Sequence, residues 1–236
     1  MSGGHQIGVP DRYLRNLGSF TPKEQARLRR SSVFVAGAGG LGGNIVEILA
    51  RTGVGSLTIA DGDVFEPSNL NRQILGTEKN VGVNKAEAAV KRIREINSEI
   101  RAFSRPDYLH PGNLPKLLEG QDVVADALGG VEDKSMLLGQ ASQAGLPLIT
   151  GFVAGWLGLA AAVEPGEEGP FQFWQAPGDA GAEHIQGCIA PVTGLIASVQ
   201  CSEILHILCG RRSRLFGRIL CADLKDMSFD LLQTRT

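Results

Sequence analysis

The chain has 236 residues, 43% of them hydrophobic and 31 of them glycine, with 23 lysines and arginines against 25 aspartates and glutamates, a formal net charge of −2. That balance lacks the basic stripe a nucleic-acid partner needs, and the run RLRR ending at Arg30 reads as a solvated helix end. No uninterrupted apolar run approaches the roughly 18 residues of a membrane span, and MSGGHQIGVPDRY lacks the charged-then-apolar order of a signal peptide. A one-domain cytoplasmic protein with neither nucleic acid nor membrane as partner is expected.

Thr21, Pro22 and Glu24 stand at capping-box spacing with proline at the first helical position, so a short helix runs to about residue 30. The runs SVFVA, SLTIA, DVVAD and PLITG are short and largely apolar, the pattern of strands covered on both faces. Helical patterns separate them at about residues 40–52, 82–97, 112–119 and 132–144. Such alternation predicts a doubly wound α/β fold, a mostly parallel Rossmann-like sheet that binds ligands at the carboxyl ends of its strands. Beyond residue 151 come a strand in GWLGLAAAVEP, a Gly/Pro-rich connection, GEEGPFQFWQAPGDAGAEHIQG, an amphipathic helix in PVTGLIASVQCSEILHIL and a last strand near RILCAD. That connection is long enough to be a lid, a docking loop or a disordered excursion. With no repeat or linker, residues 1–236 form a single domain: N-terminal helices over 1–31, a core over 32–151 and a C-terminal lobe over 152–236.

Gly37, Gly39 and Gly42 form G-x-G-x-x-G after a strand and before a helix, and Asp61 ends the next strand. The first glycine permits the tight turn, the second lets a ligand approach the backbone, and the third lets helix and strand pack, while helix N–H groups face an anion. Asp61 is placed to accept hydrogen bonds from a ribose. These features predict a nucleotide and leave NAD and ATP both open.

The segment DVFEPSNLNRQ, which contains Asp63 and Ser68, then sets Asn69, Arg72 and Gln73 beyond the second strand, and Lys85 opens the next helix. A pair of cations suits a triphosphate. Nucleotidyl transfer builds charge on the α-phosphate and the departing pyrophosphate, which fixed Arg and Lys donors stabilise; hydride transfer builds none.

At these residues the chain resembles the ThiF/MoeB/HesA family, bacterial relatives of the ubiquitin-activating enzymes. The likeness covers most of the sequence: RYLRNLG, VFVAGAGGLGG, RTGVGSLTIADGDVFEPSNLNRQIL, VGVNKAEAAVKRIREIN and GCIAPVTGLIASVQCSEILHIL follow the family's order at close to its spacing. The resemblance implies an adenylyltransferase that uses MgATP to activate the C-terminal Gly-Gly carboxylate of a small ubiquitin-like sulfur-carrier protein, releasing pyrophosphate. It implies that Gly40 lies in the phosphate loop, Asp61 holds the ribose, Asn69 and Arg72 contact phosphates, and Lys85 steadies the pyrophosphate. Asp63, Ser68, Gln73 and Asp126 join the nucleotide-binding set. Arg15 matches an arginine that crosses a two-fold interface into the partner's ATP site, so a homodimer is implied, and residues 152–236 become the carrier-binding and dimer lobe.

The chain also departs from the family. A magnesium-binding motif of the type D-x-x-D-N is met by ADALGGVEDKSM, where alignment on Asp126 puts Gly129 and Gly130 at Asp-Asn. Either Asp126, Glu132 or Asp133 compensates, since magnesium takes most of its oxygens from triphosphate and water, or the site binds nucleotide and turns over poorly. The family's zinc needs two C-x-x-C pairs; PFQFW takes the place of the first and no second pair precedes residue 236, so no zinc is expected. Cys188, Cys201, Cys209 and Cys221 read as packing residues. Cys188, at the mouth of the last helix, is also a candidate for a lowered thiol pKa, although the cysteine that some relatives use covalently aligns nearer Glu183; His184 in the same loop is another candidate. Trp156 either lines the groove for the Gly-Gly tail or packs in the core or over adenine. No general base is needed, because an ionised carboxylate is already a nucleophile.

Three alternatives remain: a non-catalytic member that binds nucleotide or a ubiquitin-like protein, adenylation of a small carboxylate, and an NAD(P)-dependent oxidoreductase. The last rests on the glycine fingerprint alone, since Tyr13 and Tyr108, the only tyrosines, form no Tyr-x-x-x-Lys pair.

Overall fold

Residues 9–173 and 186–234 are described by a computed structural model; Glu183, His184 and most of the Gly/Pro-rich connection lie outside them. The strands are β1 (Ser32–Ala36), β2 (Ser56–Ala60), β3 (Arg101–Arg105), β4 (Val123–Asp126), β5 (Leu148–Ala154), β6 (Leu157–Val163), β7 (Arg218–Asp223) and β8 (Ser228–Gln233). They form one sheet in the order β3-β2-β1-β4-β5-β6-β7-β8. The first five in that order pair in parallel and the rest are antiparallel.

The helices are α1 (Pro22–Leu28), α2 (Gly40–Thr52), α3 (Lys85–Ile96), α4 (Leu114–Leu118), α5 (Val131–Gln143) and α6 (Ala190–Leu208). Both legs of the capping box form at α1: Thr21 Oγ1 accepts from Glu24 N at 3.2 Å, and Glu24 Oε2 accepts from Thr21 N at 2.8 Å. At the far end of α2, Gly53 takes φ +92°, and a Cβ there would stand 2.5 Å from the buried Tyr13 ring. Only glycine both ends this helix in the left-handed conformation and admits the tyrosine.

The alternation of β1 divides the core. Val33 and Val35 face a layer made with α2, α3 and α6, through Ile45, Leu49, Ile93 and Ile196. Phe34 and Ala36 face α4 and α5 through Leu114, Leu118 and Leu137. Strands β1, β2 and β4 are therefore buried almost throughout and largely apolar, as a sheet covered on both faces requires. By length and composition alone α6 would pass for a membrane span, with a mean hydropathy of 1.3, but it packs in the core beside α2 and β4 to β6. It presents a buried stripe, while Leu195, Val199 and Ile207 on the other side are partly buried rather than charged.

The sheet order changes direction between β1 and β4. Gly37 just beyond β1 has φ +92°, and a Cβ there would lie 2.7 Å from the Ala127 carbonyl just beyond β4. Crevices of this kind, at the carboxyl ends where strand order reverses, are where doubly wound sheets bind ligands.

Candidate active site

A cavity of about 710 Å³ opens at that switch point. Gly39 caps α2, and a Cβ at Gly42 would fall 1.9 Å from the Gly37 carbonyl oxygen, so strand and helix pack at a distance only glycine allows. Asp61 reaches back across the turn: Oδ2 accepts from Ala38 N at 2.7 Å and Oδ1 from Asp63 N at 2.9 Å. These bonds stiffen the glycine loop and still leave lone pairs for ligand hydroxyls.

The segment after β2 folds over the opposite wall. Asn69 Oδ1 accepts from Glu66 N at 3.1 Å and closes a 3-10 turn, while the Arg72 guanidinium donates to Ser68 O at 3.1 Å and to Asn71 Oδ1 at 2.9 Å. Asn71 donates to the Cys188 carbonyl at 3.0 Å, docking the segment against the entrance to α6. Gln73 is 6% exposed, and its Oε1 has no hydrogen-bond partner among the described residues. A buried acceptor left open in a cavity wall is a costly feature unless a ligand fills it.

Lys85 begins α3, and its ammonium stands 3.1 Å from Asp63 Oδ2 while Tyr108 donates to Asp63 Oδ1 at 2.7 Å. The Tyr108 hydrogen bond, followed by that from Lys85, holds the Asp63 carboxyl below its usual range, against the effect of burial.

Thus Gly37, Gly39, Gly40, Asp61, Asp63, Asn69, Arg72, Gln73 and Lys85 converge on one cavity. Other expected residues do not line it. Gly42 serves packing, Ser68 points outward, and Arg15 lies exposed in a 3-10 turn, Asp11–Asn16. Asp126 is fully buried behind the wall: Oδ2 meets Lys134 Nζ at 3.1 Å and Thr150 Oγ1 at 2.6 Å, and Oδ1 accepts from Leu128 N at 3.0 Å. With those bonds Asp126 organises the end of β4 rather than touching a ligand. Of the acids expected to replace the missing motif residue, Asp133 lines the cavity beside Gly129, and Glu132 does not. Trp156 sits half exposed between β5 and β6, outside the cavity. Among the described residues no group of three or more His, Cys, Asp or Glu is placed to hold a metal ion. Sequence reasoning missed Asn71, Thr193, whose methyl meets Gly40, and Tyr108.

Residues 13–236 match the family described as ThiF. The chain belongs to the ThiF family. It is 32% identical over 233 residues to the SAMP-activating enzyme E1 of Haloferax volcanii, covering 96% of this chain and 86% of that protein. A sulfur carrier protein adenylyltransferase of Thermus thermophilus is 33% identical over 236 residues, covering 95% and 87%. Among solved structures, E. coli MccB superposes with a TM-score of 0.83 at 20% identity over 98% of this chain and 72% of that one, a likeness of fold.

Proposed function

We propose that this ThiF-family chain is an ATP-dependent adenylyltransferase that activates the C-terminal Gly-Gly carboxylate of a small ubiquitin-like sulfur carrier. One observation carries the reading: Arg72 and Lys85 line the same cavity as the glycine loop and Asp61. In a dinucleotide site such cations serve an NADP 2′-phosphate, which the Asp61 carboxylate at the ribose position disfavours, so the pair suits a triphosphate. The names of the relatives in Haloferax and Thermus support the same chemistry.

In this reading the amide end of α2 and Arg72 hold the α-phosphate, and Asp61 accepts from the ribose. A carboxylate oxygen of the carrier attacks the α-phosphorus and the bond to the β-phosphate oxygen breaks. The products are an acyl-adenylate and pyrophosphate, whose charge Lys85 meets. No proton need be removed, so orientation and charge complementarity supply the catalysis. Magnesium, when bound with the triphosphate, would neutralise phosphate charge; hard carboxylate oxygen suits it, and of Asp126, Glu132 and Asp133 only Asp133 lines the cavity where it would hold the ion. Arg15 is exposed and does not line its own cavity, which supports the reading that it serves the cavity of a second copy in a homodimer.

A glycine at position 129, with Asp126 closed off, favours one other reading, a nucleotide-binding member that does no chemistry. Exchange of labelled pyrophosphate into ATP separates the two. Exchange that depends on a Gly-Gly-terminated carrier is expected, and Arg72→Ala is expected to lower it by about 10²–10³-fold, the scale for losing one charge-stabilising donor. ATP binding with no exchange for any carrier would favour the silent member.

A further inference from the structure

Tyr108 is 70% exposed at the rim of the cavity, yet it is fixed at several points. Its ring lies on Gly62, where a Cβ would come within 2.7–2.9 Å of ring carbons, so any other residue there would displace it. Its backbone carbonyl accepts from Asn113 Nδ2 at 2.9 Å, and Asn113 Oδ1 accepts from His110 N at 3.0 Å, knitting the loop. The hydroxyl ends 2.7 Å from Asp63 Oδ1, the oxygen that Lys85 does not use.

One carboxylate is thus shared by two donors of unequal burial, since the Lys85 side chain is 9% exposed and Tyr108 is 70% exposed. A buried ammonium keeps its charge only beside an anion, but an anion that holds it too tightly competes with an incoming phosphate. Hydrogen bonding from Tyr108 spreads the charge of Asp63 and weakens its hold on Lys85. The same bond keeps Asp63 satisfied once the ammonium turns to a ligand. Consistent with this sharing, the Tyr108 phenol is pushed above its usual range, first by its hydrogen bond to Asp63.

We propose that Tyr108 is a positioning residue that, through Asp63, keeps Lys85 available to the polyphosphate of a bound nucleotide. The inference rests on the adenylation reading for the identity of that ligand. It differs from a role for the ring itself, because it acts on the β- and γ-phosphates and is blind to base and ribose.

The test is calorimetric titration of the full chain with MgATP and, separately, AMP, for wild type, Tyr108→Phe, Asp63→Asn and the double variant. Tyr108→Phe keeps the ring and removes the hydroxyl; it is expected to weaken MgATP binding about three- to tenfold, the net scale of one ordinary hydrogen bond, as suits an effect passed on through Asp63. AMP affinity is expected to hold within about twofold, and Tyr108→Phe is expected to add nothing in the Asp63→Asn background. Equal losses for AMP and MgATP would overturn the proposal in favour of a ring or loop role, as would additive losses in the double variant. A wild-type chain that binds AMP and MgATP alike would refute the use of Lys85 on polyphosphate. A chain that binds neither would remove the adenylation reading and this inference with it.

Discussion

Replacing Lys134 by methionine is expected to destabilise the protein severely without touching the ligand. Lys134 is 1% exposed and Asp126 0%. The ammonium donates to Asp126 Oδ2 at 3.1 Å and to the Gly151 carbonyl at 2.9 Å, joining the end of β4 and the middle of β5 to α5. Methionine fills a similar volume but leaves Asp126 with Thr150 Oγ1 and Leu128 N against a full buried charge. Breaking one side of a buried pair costs about 3–5 kcal/mol, whereas removing both charges is often nearly neutral. With a urea slope of about 3 kcal/mol per molar, the midpoint should fall by roughly 1 M or more. Lys134→Met with Asp126→Asn should recover much of that loss, because the stranded charge is gone. A single-variant loss under about 1 kcal/mol, or a double variant no better than the sum of the two singles, would refute the claim that the pair is a coupled buried unit.

Three further outcomes are expected. Gly42→Ala drives a methyl against the Gly37 carbonyl from 1.9 Å, backbone on backbone, so ATP affinity should fall by tenfold or more and stability by about 1–3 kcal/mol, read by titration and urea unfolding; unchanged binding would deny that this spacing shapes the loop. Glu47 ties α2 to α3 through Arg92 at 2.8 Å, and the Arg92 hydrogen bond holds its carboxyl below the usual range. Because the folded pKa lies below the unfolded one, its stabilisation is present above about pH 4.5 and is lost as pH falls through the depressed value. Glu47→Gln should therefore cost roughly 1 kcal/mol at pH 7 by urea unfolding and progressively less in acid; a difference independent of pH would exclude the ion pair as its source. Burial pushes the Cys201 thiol far above its usual range, so iodoacetamide should leave Cys201 unmodified by peptide mapping until denaturant is added, and labelling of the native protein would contradict its place in the core.

The parts of the fold legible in the sequence are those where local chemistry and burial agree. Thr21, Pro22 and Glu24 announce a helix start because the cap is local, and SVFVA and SLTIA read as strands because both faces are covered. β3 and β8 escaped detection for the opposite reason. As edge strands they meet solvent: β3 alternates exposed and half-buried residues, and β8, SFDLLQ, is exposed throughout, so neither must be apolar. The glycine spacing and Arg72 were legible because phosphate chemistry restricts residue types at fixed offsets. Tyr108 was not, since it reaches Asp63 across 45 positions and nothing in PDYLH marks it.

Asp126 shows why a motif position alone is a weak guide to a role. Aligned as the first acid of a magnesium motif, it is drawn instead into a buried network by Lys134, one turn into the following helix, and Thr150 on β5. Gln200 Nε2 donates to the Asp126 carbonyl at 2.8 Å and to that of Ile149 at 3.2 Å, so α6 is pinned to the same strand ends. That network fixes where residues 127–130 stand, and with them one wall of the cavity. On this wall the carboxylate that faces the cavity comes from beyond the turn, where Asp133 stands in the first turn of α5. Separating the acid that builds the wall from the acid that faces the ligand lets Gly129 lack a side chain while this wall still presents an anionic oxygen beside those of Asp61 and Asp63, and this division of labour keeps the adenylation reading compatible with the sequence's departure from its family.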